Sequence, residues 1–279
     1  MPIVAFWSNN RHESGQTLSM AAVATYMCVD HNYRTLMVNA TFQNQALERC
    51  FWNMSRQAMT AKRLNGGKMD IASGAEGLVS AIASNKVTPE IVANFTKVVF
   101  KNRLDVLPGL QSPIRENHEK SLMLYKDLLN AANKYYDLVF VDVDKTLDYE
   151  TTQAILNTAQ VIVYVMPPNL QIINTYLDSY QKLPFMKGNN IIPILAREDP
   201  DAKYNVNNVA RYIGYKGEMG VVPYNSTFMV SACEAGVAKF FLDTKINKGK
   251  AAQHSRFLDG IKEVDKKIEQ KLKELQLMV

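Results

Sequence analysis

Eight consecutive residues, Asn10-Arg-His-Glu-Ser-Gly-Gln-Thr17, are the first in the chain whose types and spacing could hold an anion. They follow the apolar run Ile3–Trp7 and precede a stretch of Ala, Met, Val and Leu, nearly free of charge, that reaches Cys28. A buried strand, a short polar loop and a helix opening at Gly15-Gln-Thr17 would aim backbone N–H groups and about half a positive charge at a phosphate. In the phosphate-loop pattern G-x-x-x-x-G-K-S/T, Gly15 and Thr17 fit, but Asn10 replaces the first glycine and Gln16 the lysine. An ordinary strand-to-helix turn would explain the same residues without a ligand. A second group of interest is Asp142, a carboxylate closing the apolar run Leu138–Val141.

The elements that must position these residues alternate along the chain. Strands are expected at 35–39, 138–142, 161–166, 191–195 and 220–223, with short apolar runs at 98–100 and 104–107. Helices are expected over 46–52, 76–84, 116–135, 151–158, 170–183, 207–213, 229–235 and 251–277. Residues 60–75, with Gly66, Gly67 and Gly74, read as a connection. Strands alternating with helices imply right-handed βαβ units and a doubly wound parallel sheet. The fold class expected is therefore α/β, a single doubly wound domain with a mostly parallel central sheet flanked by helices. Ligands in such a sheet bind beyond the carboxyl ends of the strands. That directs attention to the loop at 8–17, to Asn39 and Thr41, to Asp142 and Asp144, to Ala196 and Arg197, and to Pro223.

Composition narrows the function classes. A chain of 279 residues that is 47% hydrophobic can fill one large α/β core. No apolar run approaches the ~18 residues of a membrane span, and the N-terminus enters a strand directly, with no signal peptide. Cys28, Cys50 and Cys233 are isolated and odd in number, which suits a reducing cytoplasm, and the four histidines form no cluster. The net charge of +5 sits mostly in residues 245–279, where nine Lys or Arg face five Asp or Glu. The near-neutral body argues against a nucleic-acid footprint. A basic tail could meet an acidic partner, DNA or a membrane surface, or be a solvated helix face. Its apolar residues Phe257, Ile261, Val264, Ile268, Leu272 and Leu275 form one helical stripe, able to pack on the domain, pair with a second copy or lie on a membrane.

Taken together, several separated segments resemble the ParA/MinD family of deviant P-loop ATPases, most closely the TadZ/CpaE branch associated with pilus assembly. Arg11-His-Glu-Ser-Gly-Gln-Thr17 occupies the place of the family's K-G-G-x-G-K-T, and Arg34-Thr-Leu-Met-Val-Asn-Ala-Thr41 resembles its second strand, which normally ends in D-x-D. Leu104-Asp-Val-Leu-Pro-Gly109 resembles the branch's L-x-V-L-P-G, and Tyr136-Asp-Leu-Val-Phe-Val-Asp142 its Y-D-x-V-x-x-D strand. Val221-Val-Pro-Tyr-Asn225 and Ala232-Cys-Glu-Ala-Gly236 resemble the segment whose loop lies near adenine. The resemblance covers about 3–245 and implies a P-loop domain over 1–245, with the amphipathic helix in 246–279 packed on or extending from it.

The resemblance implies nucleotide contacts at Asn10, Arg11, Ser14, Gly15, Gln16, Thr17, Leu18, Arg197 and Pro223, with Thr17 and Asp142 as Mg2+ ligands and Asp142 the catalytic candidate if the site is active. It also marks departures. Gln16 carries no charge where the family has its phosphate lysine, Arg11 keeps a cation where the signature lysine reaches across a dimer, and His12 and Glu13 replace glycines. The water-orienting carboxylate falls at Thr41, its neighbour at Asn39, and the adenine-reading asparagine at Ala196. Phosphoryl transfer rests on positioning and charge stabilisation, so the expectation is weak binding of ATP and Mg2+ in a pocket that keeps its shape, with poor or absent hydrolysis. The implied role is a cytoplasmic, homodimeric positioning or scaffolding factor at the inner face of a membrane, serving a pilus or secretion machine. The alternative is a working ATPase that switches between monomer and dimer.

Overall fold

The computed structural model describes residues 2–10, 14–42, 44–53, 74–84, 88–110, 115–143, 149–188 and 190–277. The 60–75 connection lies outside these residues except for Gly74 and Ala75, as do Arg11, His12, Glu13 and Asp144. Eight strands form one sheet: β1 (Ile3–Trp7), β2 (Thr35–Ala40), β3 (Lys97–Phe100), β4 (Leu104–Leu107), β5 (Leu138–Val143), β6 (Val161–Met166), β7 (Ile191–Glu198) and β8 (Gly220–Pro223). Their order is β3-β4-β2-β5-β1-β6-β7-β8. Every pairing is parallel except the β3–β4 hairpin.

The pleat divides the apolar residues between two cores. Ile3, Ala5 and Trp7 of β1 enter one and Val4 and Phe6 the other, so a continuous apolar run is what a strand covered on both faces needs. On the first face lie α3 (Gly74–Ala83), α4 (Arg115–Leu122), α5 (Tyr125–Ala132), α6 (Tyr149–Leu156), α7 (Leu170–Lys182) and α8 (Val206–Ile213). On the second lie α1 (Gln16–Asp30), α2 (Ala46–Arg49), α9 (Ser226–Cys233), α10 (Val237–Ile246) and α12 (Ser255–Leu277), with the short α11 (Lys248–Gln253) leading into α12. The chain is one α/β domain with helices on both faces of a mostly parallel sheet.

Two expected helices are divided. The segment 116–135 breaks at Met123-Leu124 into α4 and α5, and the final helix breaks at His254 into α11 and α12. His254 is buried there, its Nδ1 3.2 Å from Asn225 Nδ2, while Asn225 Oδ1 accepts the Phe228 N–H that opens α9. The stripe of α12 is committed to the domain: Phe257, Ile261, Val264 and Ile268 are buried, and Leu272 and Leu275 pack against the same core. Gly260 permits this, because a Cβ there would lie 2.4 Å from Pro223 Cδ at the end of β8.

The far end of α1 is tied to α12 by charge. His31 Nε2 meets Asp265 Oδ2 at 2.8 Å, and Tyr33 donates to Glu269 Oε1 at 2.8 Å. Burial alone would lower the His31 pKa, but the hydrogen bond to Asp265 and the charges of Asp265, Glu269 and Asp30 outweigh it, so the pKa is raised. Asp265 is itself pushed up, because burial outweighs the contribution of His31. A raised folded-state histidine pKa gives stabilisation that is complete below the unfolded value of about 6.5 and is lost as pH rises through the folded value. His31→Gln should therefore destabilise the protein more at pH 6 than at pH 9 in urea unfolding. Equal losses at both pH values would show that the imidazolium contributes nothing.

Candidate functional site

The carboxyl ends of β1 and β5 adjoin the point where the winding of the sheet reverses, since β1 lies between β5 and β6. Gly15 turns the chain into α1 with φ +79°, the left-handed region. A Cβ at Gly15 would also sit 3.0 Å from Ala196 Cβ, so both backbone and space require glycine. Ser14 is buried, and its Oγ lies 3.4 Å from the Gln16 N–H. Asn10 sits half-buried just beyond β1.

The centre of the site is a set of short hydrogen bonds on Asp142, which is 1% exposed. Gln16 Nε2 donates to Asp142 Oδ1 at 2.6 Å and to the Val143 carbonyl at 2.8 Å. Thr17 Oγ1 donates to Asp142 Oδ2 at 2.6 Å. Both hydrogens of the Gln16 amide are thereby used, and its Oε1 is buried without a partner. The amide has no donor left to offer a phosphate. Its inward turn departs from the expected nucleotide contact, and the cause is the need of a buried carboxylate for hydrogen-bond donors.

Asn39 pairs with Asp142 across β2 and β5. Its side chain is also turned to internal partners. Asn39 Nδ2 donates to the Asn44 carbonyl at 2.7 Å and lies 2.9–3.0 Å from both oxygens of Glu48. Asn39 Oδ1 accepts the Thr41 N–H at 3.0 Å and the Thr41 hydroxyl at 2.6 Å. Glu48, 3% exposed, also accepts the Gly109 N–H at 2.8 Å. Burial raises its pKa, opposed by the Gly109 N–H and the Asn39 amide. Sequence reasoning missed Glu48. The available signal was an amide in place of a carboxylate at Asn39, which provides a donor for an acid nearby.

On the opposite side of Gly15, Leu18, Arg197 and Pro223 come together with Tyr224, Phe228 and Phe257. Arg197 has φ +56° at a bulge in the β7–β8 pairing, a conformation costing a non-glycine residue about 1–3 kcal/mol. Its side chain lies over Gly15, with Nε 3.6 Å from where a Cβ would be. The void enclosed by these residues is about 20 Å³. Among the described residues, Arg197 and the aromatic side chains narrow the space at this strand end.

No protein-family model and no curated protein matches the sequence. Solved structures do match the fold. A ParA family ATPase from Chlorobium tepidum TLS superposes with a TM-score of 0.70 at 15% identity, covering 97% of this chain and 98% of that one. MinD from Pyrococcus horikoshii OT3, solved with Mg-ADP, gives 0.65 at 16% identity over 97% and 98% of the two chains. MinD in the MinC:MinD complex of Aquifex aeolicus gives 0.62 at 15% identity over 95% and 96%. The chain has the fold of the ParA and MinD ATPases.

Within that ParA/MinD fold the described residues fit a Mg-ATP centre poorly. Thr17 and Asp142 are brought together, but they bond to each other, and a hard divalent cation could take them only by displacing the donors of Thr17 and Gln16. Asn39 and Thr41 supply no carboxylate, and their polar atoms are engaged elsewhere. The contact expected at Arg11 lies outside the described residues.

The pairing of Asn39 with Glu48 predicts that Asn39→Asp, setting a second buried carboxylate about 3 Å from Glu48, will cost on the order of 1–3 kcal/mol at pH 8. Glu48→Gln on that background should recover most of the loss by restoring a donor. Urea midpoints of the two single variants and the double variant measure the coupling, and additive effects would show that the amide and the acid are not partners.

Proposed function

We propose that this protein is a ParA/MinD-like nucleotide-binding-fold factor that positions or scaffolds a membrane-associated pilus or secretion machine and hydrolyses ATP weakly or not at all. The observation that carries this reading is the occupation of Asp142 by Gln16 and Thr17. A carboxylate satisfied by two protein donors does not need a metal, and an amide with both hydrogens spent cannot replace a lysine ammonium on phosphate. Asn39 and Thr41, placed where the resemblance puts acidic residues, fit the same reading. The TadZ/CpaE likeness of Leu104–Gly109 supports the pilus assignment. The solved MinC:MinD complex supports a role exercised through protein partners. No described helix is long and apolar enough to cross a membrane, so contact with a membrane would be peripheral. The mixed charges of the C-terminal helix suit an acidic partner better than lipid, and a nucleic-acid role is disfavoured by the near-neutral body.

The alternative, an ATPase with a nucleotide-driven monomer–dimer switch, is separated from this one by turnover. Steady-state phosphate release with Mg-ATP should stay at background and be unchanged by Asp142→Ala. Turnover abolished by that substitution would establish the alternative. Glu13→Gly with Gln16→Lys should tighten ATP binding by about tenfold or more, a gain of ~1.4 kcal/mol readable by calorimetry.

Assembly follows from Arg11, which keeps a cation where the resemblance places a dimer contact. If pairing no longer needs nucleotide, light scattering should return a dimer mass without ATP. A monomer mass both with and without ATP would remove the dimer from the proposal.

A further inference from the structure

A cavity of about 820 Å³ opens at the end of the sheet opposite the loop–helix centre, where β7 and β8 begin. That volume lies within the ~300–1,000 Å³ of small-molecule sites, whereas the void beside Gly15 is about 20 Å³. Its walls come from α7, from the loop after α8 and from the last turns of α12.

The chemistry of the walls is specific. Tyr176 is 4% exposed and backs onto Tyr164, and Tyr180, 45% exposed, stacks on Tyr176 at 6.3 Å and 25°. The row of rings therefore begins in the core and ends at the cavity, where a planar ligand would extend it. Lys267 and Lys271, one helical turn apart on α12, face the same space, their side chains only 20% and 26% exposed. Packing holds their stems, so the ammonium groups are placed before any ligand arrives. Lys267 pairs at 3.0 Å with Glu218, a side chain 89% exposed, and Lys271 pairs at 2.7 Å with Glu274. Such pairs with exposed partners contribute only about 0–1 kcal/mol, and Glu218 returns to water at little cost when another anion takes its place. Lys187 and Lys216 at the rim leave the lining with four lysines against two glutamates.

We infer that this cavity binds a nucleoside phosphate, with the phosphates on Lys267 and Lys271 and the base extending the stack at Tyr180. The site is independent of the loop–helix centre and of the function proposed for it. It gives the C-terminal helix a second use, because α12 carries both the core stripe and the two lysines.

Calorimetry of the full chain with ADP in the presence of EDTA tests this, since without metal the loop–helix centre is disfavoured. One saturable site is expected, with adenosine and pyrophosphate each binding at least tenfold more weakly than ADP. Lys267→Glu with Lys271→Glu should weaken ADP tenfold or more, whereas Arg197→Glu, which places a carboxylate over Gly15, should leave it within twofold. Glu218→Lys, at a position too exposed to affect folding, should tighten ADP severalfold. No binding at millimolar ADP, pyrophosphate binding as tightly as ADP, or a loss that follows Arg197→Glu rather than the lysines would overturn the assignment.

Discussion

A carboxylate buried at the end of a central parallel strand must find donors, and the way Asp142 finds them governs the site. Removing such a group from water costs several kcal/mol unless it is fully hydrogen-bonded. Here the first two residues of α1 turn inward to supply the bonds, Gln16 to one oxygen and Thr17 to the other. Gln16 also takes the Val143 carbonyl, which fastens the helix start to the last residue of β5. The same contacts that anchor α1 over the sheet thus withdraw from the loop the side chains that would greet a phosphate or a metal.

The neighbouring strand follows the same logic. Asn39 and Thr41 close a network with Glu48 and the Gly109 N–H, joining β2, α2 and the loop after β4. The acid of this region is Glu48, bound on several sides. The amide at Asn39 is what makes that acid tolerable. The residues at positions 16, 39 and 41 are mutually consistent as one packed, hydrogen-bonded structure.

Much of the fold was legible in the sequence because it rests on apolar periodicity. The runs Ile3–Trp7, Leu138–Val141 and Val161–Met166 have the length and continuous apolar character of strands covered on both faces, and the six-residue stripe of the last helix matched a single apolar face. The breaks at Met123 and His254 were not legible, since each leaves the periodicity on both sides intact and depends on local packing such as the His254–Asn225 contact. At the site, strand ends alone pointed to Gly15, Arg197 and Pro223, which lie together in the structure, whereas Leu18 came only from the resemblance. The direction of Gln16 was not legible, because an amide is equally able to face an anion or a carboxylate, and the choice is made by Asp142, 126 residues away. The place of Arg197 over Gly15 was hidden for a similar reason, since a positive φ at a bulge is set by strand register and not by the arginine itself.

The central claim is that Gln16 and Thr17 satisfy Asp142 in place of a metal and that the Gln16 amide has no donor left for a phosphate. The most direct measurement is a crystal structure determined after soaking with millimolar Mg-ATP. The account predicts the Gln16 amide still on Asp142 and the Val143 carbonyl, with Thr17 bonded to Asp142 and no ion between them. A Mg2+ ion held by Thr17, with Gln16 swung out onto a bound phosphate, would contradict it.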